Sequence, residues 1–181
     1  GALFGLFALA YLVVSGFRAG KTLPGIAHRA LTFSLGMAVP YGLVCLLFWS
    51  AGIFDKFWFW TVQYASRYTS EVPLTLGLEL LEEAAGAILK SSPLVWMLAG
   101  IGLAAPVWSR QARKHVVFTH GLFIFSLLSI LPGLYFRRHY FLLLVPCASL
   151  LAGIAVSAAR CELSRLKGSA LLMHLPAVLA A

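Results

Sequence analysis

The sequence predicts an all-α integral membrane protein: about six transmembrane helices in a single membrane domain, with an amphipathic helix lying on its outer face. Three observations predict it. Of the 181 residues, 61% are hydrophobic and only 11% are charged, and the mean hydropathy of +0.90 is far above that of a soluble domain. Apolar runs recur at close to the roughly 20 residues that a helix needs to cross a bilayer. Lys and Arg concentrate in alternate connections between those runs, and the acids in the others. Helices follow because a strand edge or irregular loop facing lipid would leave amides and carbonyls unpaired at several kcal/mol each. The two-residue alternation of a barrel strand is absent.

The first run, residues 2–16, opens without an initiator Met or a basic segment before it, so it is not read as a signal peptide. Together with an end at Ala181 inside another apolar run, this reads as a fragment of a larger protein. The second run, 30–50, carries Pro40 and Cys45. A long polar and aromatic stretch, 51–92, separates it from the third run, 93–108. Runs at 116–133, 141–159 and 170–181 complete the set. Pro132 and Pro146 lie at membrane depth, where a missing N–H frees a carbonyl for a neighbouring helix to satisfy.

The connections at 17–29, 109–115 and 160–169 hold Arg18, Lys21, Arg29, Arg110, Arg113, Lys114, Arg160, Arg165 and Lys167, nine of the 14 basic residues. Basic residues accumulate in short cytoplasmic loops, so these are expected inside. Five of the six acids, Asp55, Glu71, Glu79, Glu82 and Glu83, fall on the other side. Loop 51–92 and hairpin 134–140 are therefore expected on the outer face. The net charge of +8 is topological in origin, and nucleic acid is not expected as a partner because no basic patch interleaved with aromatics occurs in a soluble segment.

Within 51–92 the stretch around Asp55, Lys56, Trp58, Tyr64, Arg67 and Tyr68 mixes aromatic rings with charge. Two readings fit it: an anchor in the headgroup layer, or a cleft wall that holds a lipid-linked or sugar-containing ligand by ring stacking and hydrogen bonds. Next, Leu74, Leu78, Leu81, Ala85 and Ile88 repeat at helical spacing while Glu79, Glu82 and Glu83 share another face, which predicts the amphipathic surface helix. Those glutamates are read as solvated.

Cys45, Cys147 and Cys161 are not placed for an extracellular disulfide. His115, His120 and His174 lack zinc-like spacing, so no metal site or other cofactor is expected in this sequence. His120 and His174 lie in or beside apolar runs and read as hydrogen-bonded packing residues. No Walker loop, serine elbow or kinase signature occurs, and no catalytic residue is assigned. The one dense set of charge, imidazole and phenol at an apolar boundary is Arg137, Arg138, His139 and Tyr140. Guanidinium forks suit a phosphate, and the contact strengthens beside hydrocarbon. Snorkelling to bulk lipid phosphate fits the same residues.

The segment YFRRHYFLLLVPCASLLAG, through Phe136, His139, Tyr140, Pro146 and the run Leu150, Leu151, Ala152, Gly153, resembles a late helix entry in the GT-C polyprenyl-phosphate-sugar glycosyltransferases. That superfamily includes the protein O-mannosyltransferases and the aminoarabinose transferase of lipid A. Upstream, Pro40, Gly52, Phe57, Trp58, Tyr64 and Tyr68 are similar to an outer loop of the same family. The resemblance implies a bacterial inner (plasma) membrane enzyme of the cell envelope. Such an enzyme moves a sugar from a polyprenyl-phosphate carrier to an acceptor on the non-cytoplasmic face, with or without a divalent metal. It implies that this part of the enzyme helps hold the donor and shape the acceptor cavity, with Arg137, Arg138, His139 and Tyr140 as donor-phosphate contacts; Asp55, Lys56, Trp58, Tyr64, Arg67 and Tyr68 are the other expected substrate-binding residues. The catalytic acid of the family lies near the N-terminus of the enzyme, in an outer loop that this sequence lacks. A flippase of lipid-linked intermediates or a non-catalytic membrane scaffold are the alternatives; no charge at midspan points to the first.

Overall fold

A computed structural model describes residues 2–68 and 72–179, with side chains for all of these except 65, 68 and 165–179. Among the described residues the chain is helical and holds no strand. Glu71, the side chains of Tyr68 and His174, and positions 180–181 of the last apolar run lie outside the described residues.

Helices α1 (Ala2–Arg18) and α2 (Leu23–Ser50) form an antiparallel hairpin. They close tightly at Gly16, where a Cβ would stand 2.8 Å from Ile26 Cγ1. Proline in the first turn of α2 starts that helix seven residues ahead of its apolar run, since a missing N–H costs nothing there. Short helices α3 (Phe54–Trp58) and α4 (Tyr64–Tyr68) follow, joined by a π-helical turn, Phe59–Gln63. Helix α5 (Leu74–Ser91) then meets α6 (Pro93–Ala104) at a bend of 102°. The cause is Pro93, which cannot continue the α5 hydrogen-bond ladder and drives Ser92 to φ −146°.

A 3-10 turn (Ala105–Val107) leads into α7 (Arg110–Lys114), whose first turn is capped by Ser109 Oγ accepting from the Ala112 N–H at 3.3 Å. The Arg113 guanidinium donates to the Pro106 and Val107 carbonyls, both at 3.0 Å, so a residue expected only to mark the cytoplasmic side also ties down the end of α6. Helix α8 (Val116–Ile130), a turn, a 3-10 segment (Arg138–Leu144) and α9 (Val145–Leu179) complete the chain.

The most extensive pairing is α6 on α9. Ala99, Cys147, Ala148 and Leu151 are buried between them. At Gly102 the backbones approach so closely that a methyl would fall 2.6 Å from the Leu151 carbonyl carbon. Small residues at the seam let two helices gain dispersion contact where hydrocarbon supplies no hydrophobic drive. Helix α1 packs on α8 through Phe7, Tyr11, Phe118 and Phe125, with centroids 5.1 to 6.1 Å apart.

These contacts polarise the bundle. Ala105, Ala112 and Ala158 share one small cluster, which brings the 109–115 segment to the Arg160 end of α9. Phe7 meets both Phe118 and Phe125 while Tyr11 meets only Phe118, so α1 runs antiparallel to α8 and its Arg18 end lies beside His115. The three basic segments thus gather at one end. The turn before Arg137 lies at the other, against Gly77 of α5.

The helices correct the expected count of six spans. Among the described residues two are long and apolar enough to cross a membrane, Leu23–Ser50 and Arg138–Ser164, and a third if the bent pair Leu74–Ser91 and Pro93–Val107 is one broken span. Helices α1 and α8 are apolar but of 17 and 15 residues. Fifteen residues reach only about 22 Å against a hydrocarbon core of about 30 Å. The expected connection at 160–169 is not a loop: α9 continues through it for 35 residues in all. Arg, Glu, Leu and Lys are good helix formers, so charge there marks a membrane exit without breaking the helix.

Candidate functional site

The turn between α8 and the 3-10 segment sets up the cationic cluster. Gly133 (φ +81°) is followed by Leu134 (φ +54°) and Phe136 (φ +41°), both non-glycine residues in the left-handed region. Each such residue costs roughly 1–2 kcal/mol. The strain is held by packing: Phe136 is only 3% exposed among Ala84, Ile130, Phe141 and Leu144, and Leu134 presses on Gly77. Burying a phenyl ring offsets about 1.5–3 kcal/mol of it.

Driving Phe136 inward turns Arg137, Arg138 and His139 to the surface. Arg137 lies over the Tyr135 ring, 5.6 Å from its centroid, and His139 stands edge-on to Tyr140 at 4.6 Å. Tyr140 is half-buried against the Phe136 cluster, and its N–H donates to the Arg137 carbonyl at 2.8 Å. No carboxylate among the described residues pairs with Arg137 or Arg138. They also open the span Arg138–Ser164, at the helix end whose free N–H groups already carry positive charge. Cations there repel the helix pole, and an anion between them relieves both.

The other expected contacts lie elsewhere in the fold. Asp55, Lys56 and Trp58 are exposed on α3, Tyr64 and Arg67 are exposed on α4, and Tyr68 closes α4. Their rings stack locally, Phe48 on Phe57 at 4.8 Å and Trp60 on Tyr64 at 5.2 Å. This segment packs on α2 and on itself, and no extensive contact among the described residues joins it to the Arg137 turn.

No protein-family model, curated protein or solved structure matches the chain. The site therefore stands on its own geometry. Glu79, Glu82 and Glu83 line an open surface groove with Lys90, in keeping with a solvated face. The buried face of α5 is shifted from the expected stripe: Leu81, Ala85 and Ile88 pack inward around Ala84, whereas Leu74 and Leu78 remain 64% and 58% exposed.

Two adjoining apolar cavities at the α5–α6 elbow were not anticipated. One of about 240 Å³ lies among Leu81, Ile88, Trp96, Phe123, Phe141 and Leu144. The other, about 160 Å³, shares Trp96, Phe123 and Leu144 and reaches Gly100, Leu103 and Leu151. No local sequence signal marks them, because they exist only where the bend folds α6 across α8 and α9. His120 shares a 3.3 Å contact with Thr119 Oγ1, and Cys161 lies exposed on α9.

Proposed function

We propose that this chain is membrane-embedded sequence of a glycosyltransferase that takes a sugar from a polyprenyl-phosphate carrier on the non-cytoplasmic side. Arg137, Arg138, His139 and Tyr140 surround the carrier phosphate. One observation carries the reading: Arg137 and Arg138, which no carboxylate among the described residues pairs, stand at the start of a helix long and apolar enough to cross a membrane, at the end of the bundle opposite the three basic segments. Basic residues gather on the cytoplasmic side, so the Arg137 end faces outward. In this reading the short helices α1 and α8 and the bent α5–α6 pair lie in the membrane beside α2 and α9, five segments in place of the six expected from the apolar runs.

In such a reaction the carrier phosphate is the leaving group and its charge grows as the sugar departs. Fixed cations at a low-dielectric boundary stabilise that charge more than water does. Deprotonation of the acceptor falls to a carboxylate outside this sequence. Asp55, Lys56, Trp58, Tyr64, Arg67 and Tyr68 are assigned to the acceptor side, as rings for stacking and groups for hydrogen bonds.

The test is transfer of labelled sugar from a polyprenyl-phosphate donor by the full-length enzyme in vesicles, compared with Arg137→Gln/Arg138→Gln. Loss of two charge-assisted contacts, each about 1.5–3 kcal/mol, predicts at least a hundredfold fall in kcat/KM for donor. Unchanged donor kinetics at normal expression refutes the assignment. Movement of the lipid across the bilayer without transfer assigns a flippase instead.

A further inference from the structure

We infer that the end of the bundle where the basic segments gather binds an anionic phospholipid, its phosphate held between Arg18 and Lys21 of the α1–α2 link and Arg110 and Lys114 of α7. This site lies at the opposite end from Arg137 and Arg138 and does not depend on the function proposed for them.

Two arms of charge meet there at one level. Tyr11 packs on Phe118 of α8, at 5.1 Å between ring centroids. Arg18 follows seven residues later, close to two helical turns, so it falls on the same stripe of α1 about 10 Å further along. Helix α8 begins at Val116, two residues before Phe118, and α1 runs antiparallel to it. Arg18 therefore projects past the start of α8 to the level of α7. Lys21 is fixed beside it by the turn that ends α1. Gly20, at φ +64°, donates its N–H to the Phe17 carbonyl at 3.0 Å, and the Lys21 N–H reaches the Gly16 carbonyl at 3.1 Å. On α7, Ala112 packs with Ala105 and Ala158, so Arg110 and Lys114, two residues to either side, share the opposite face and are exposed. No extensive contact among the described residues joins α1 to α7, so protein packing does not hold these arms together.

No carboxylate among the described residues pairs with Arg18, Lys21, Arg110 or Lys114. Glu162 is the only acid in the three basic segments. Arg113 is engaged by the Pro106 and Val107 carbonyls, and Arg160, two residues past the buried Ala158, lies on the side of α9 away from α7; neither belongs to the site. Topological sorting accounts for which end carries the charge. It does not require exposed cations from separate elements to stand at one level unpaired. Like charges at this spacing repel, and a phosphate between them satisfies both arms through charge-assisted hydrogen bonds. A zwitterionic headgroup brings its own cation into that field, so a lipid of net negative charge is selected.

The surroundings place the anion in a membrane. Phe17, Val107 and Trp108 adjoin these cations in the chain and are exposed. Tryptophan beside Lys and Arg marks headgroup depth, where rings face the acyl boundary and cations reach phosphate. A soluble phosphate would use the charge alone and leave those apolar side chains in water.

The protein is purified in a neutral detergent and mixed with equal amounts of phosphatidylglycerol and phosphatidylcholine, and retained lipid is read by native mass spectrometry. Phosphatidylglycerol is expected to be retained in preference. Its affinity falls about tenfold in Arg18→Gln/Lys21→Gln and in Arg110→Gln/Lys114→Gln, the effect of one charge-assisted contact in each. Lys56→Gln/Lys90→Gln removes the same charge outside the basic segments and leaves retention unchanged. Arg18→Lys/Arg110→Lys keeps the charge and is expected to hold the lipid, which separates loss of charge from loss of fold. Equal retention of the two lipids, retention unchanged in both arm variants, or the same loss in Lys56→Gln/Lys90→Gln overturns the inference. A loss in Arg18→Lys/Arg110→Lys as large as in the Gln variants overturns it too. Displacement of the lipid by glycerophosphate at equal concentration makes the ligand a soluble phosphate and overturns the membrane assignment.

Discussion

Gly102→Ala tests the α6–α9 crossing on which the rest of the bundle depends. The added methyl would overlap the Leu151 carbonyl, 2.6 Å from its carbon and 3.1 Å from Leu151 Cα. Carbon atoms rest at about 3.5–4.0 Å, so the helices must part by roughly 1 Å along a seam that buries Leu151 to 1% exposure. Overpacking costs about 1–3 kcal/mol, and this case belongs at the upper end because backbone must yield. Alanine recovers about 1 kcal/mol of helix propensity. The net loss is about 2 kcal/mol, near thirtyfold in the unfolding constant. Gly153→Ala is the matched control: it lies on α9 with nothing within 4 Å, so only the propensity gain applies. Reversible unfolding in mixed micelles, followed by circular dichroism, should separate the two variants in opposite directions. If Gly102→Ala is stabilised as much as Gly153→Ala, the helices do not cross at that distance.

Two further outcomes follow from the same contacts. A Cβ on Gly77 would stand 2.9 Å from Leu134 Cβ, so Gly77→Ala should displace the turn that presents Arg137 and Arg138 and lower kcat/KM for the polyprenyl-phosphate donor several-fold; Gly86→Ala, with open space around it, should not. Arg113→Lys keeps the charge but not the fork that holds the Pro106 and Val107 carbonyls. It should lower stability by about 1 kcal/mol in thermal unfolding, whereas an unchanged midpoint would reduce Arg113 to a topological marker.

Local pattern accounts for much of the fold. Composition predicted helices, and the proline in the first turn of α2, the Pro93 break and the inward set Leu81, Ala85 and Ile88 follow from rules that act within a turn or two. The segment 160–169 was misread because charge marks contact with water and says nothing about helix continuity. Leu74 and Leu78 share the apolar stripe of α5 with the inward set but stay exposed, because periodicity finds a stripe and not where along it a protein partner begins.

The candidate site divides in the same way. Arg137, Arg138, His139 and Tyr140 stand out in the sequence because cations beside hydrocarbon are costly wherever the chain goes. Trp96, Phe123 and Gly100 do not, since apolar residues in an apolar protein carry no local mark. The sequence by itself determined that this protein is helical and suited to a membrane, and that its basic residues separate from its acids, because hydropathy, propensity and charge act residue by residue. Only the tertiary structure decided that those basic segments meet at one end, that α6 and α9 touch backbone to backbone at Gly102, that Phe136 turns inward and Arg138 outward, and that two apolar cavities adjoin at the α5–α6 elbow. Each of these rests on contacts between surfaces far apart in the chain, whose energy depends on which faces meet and not on the composition of either.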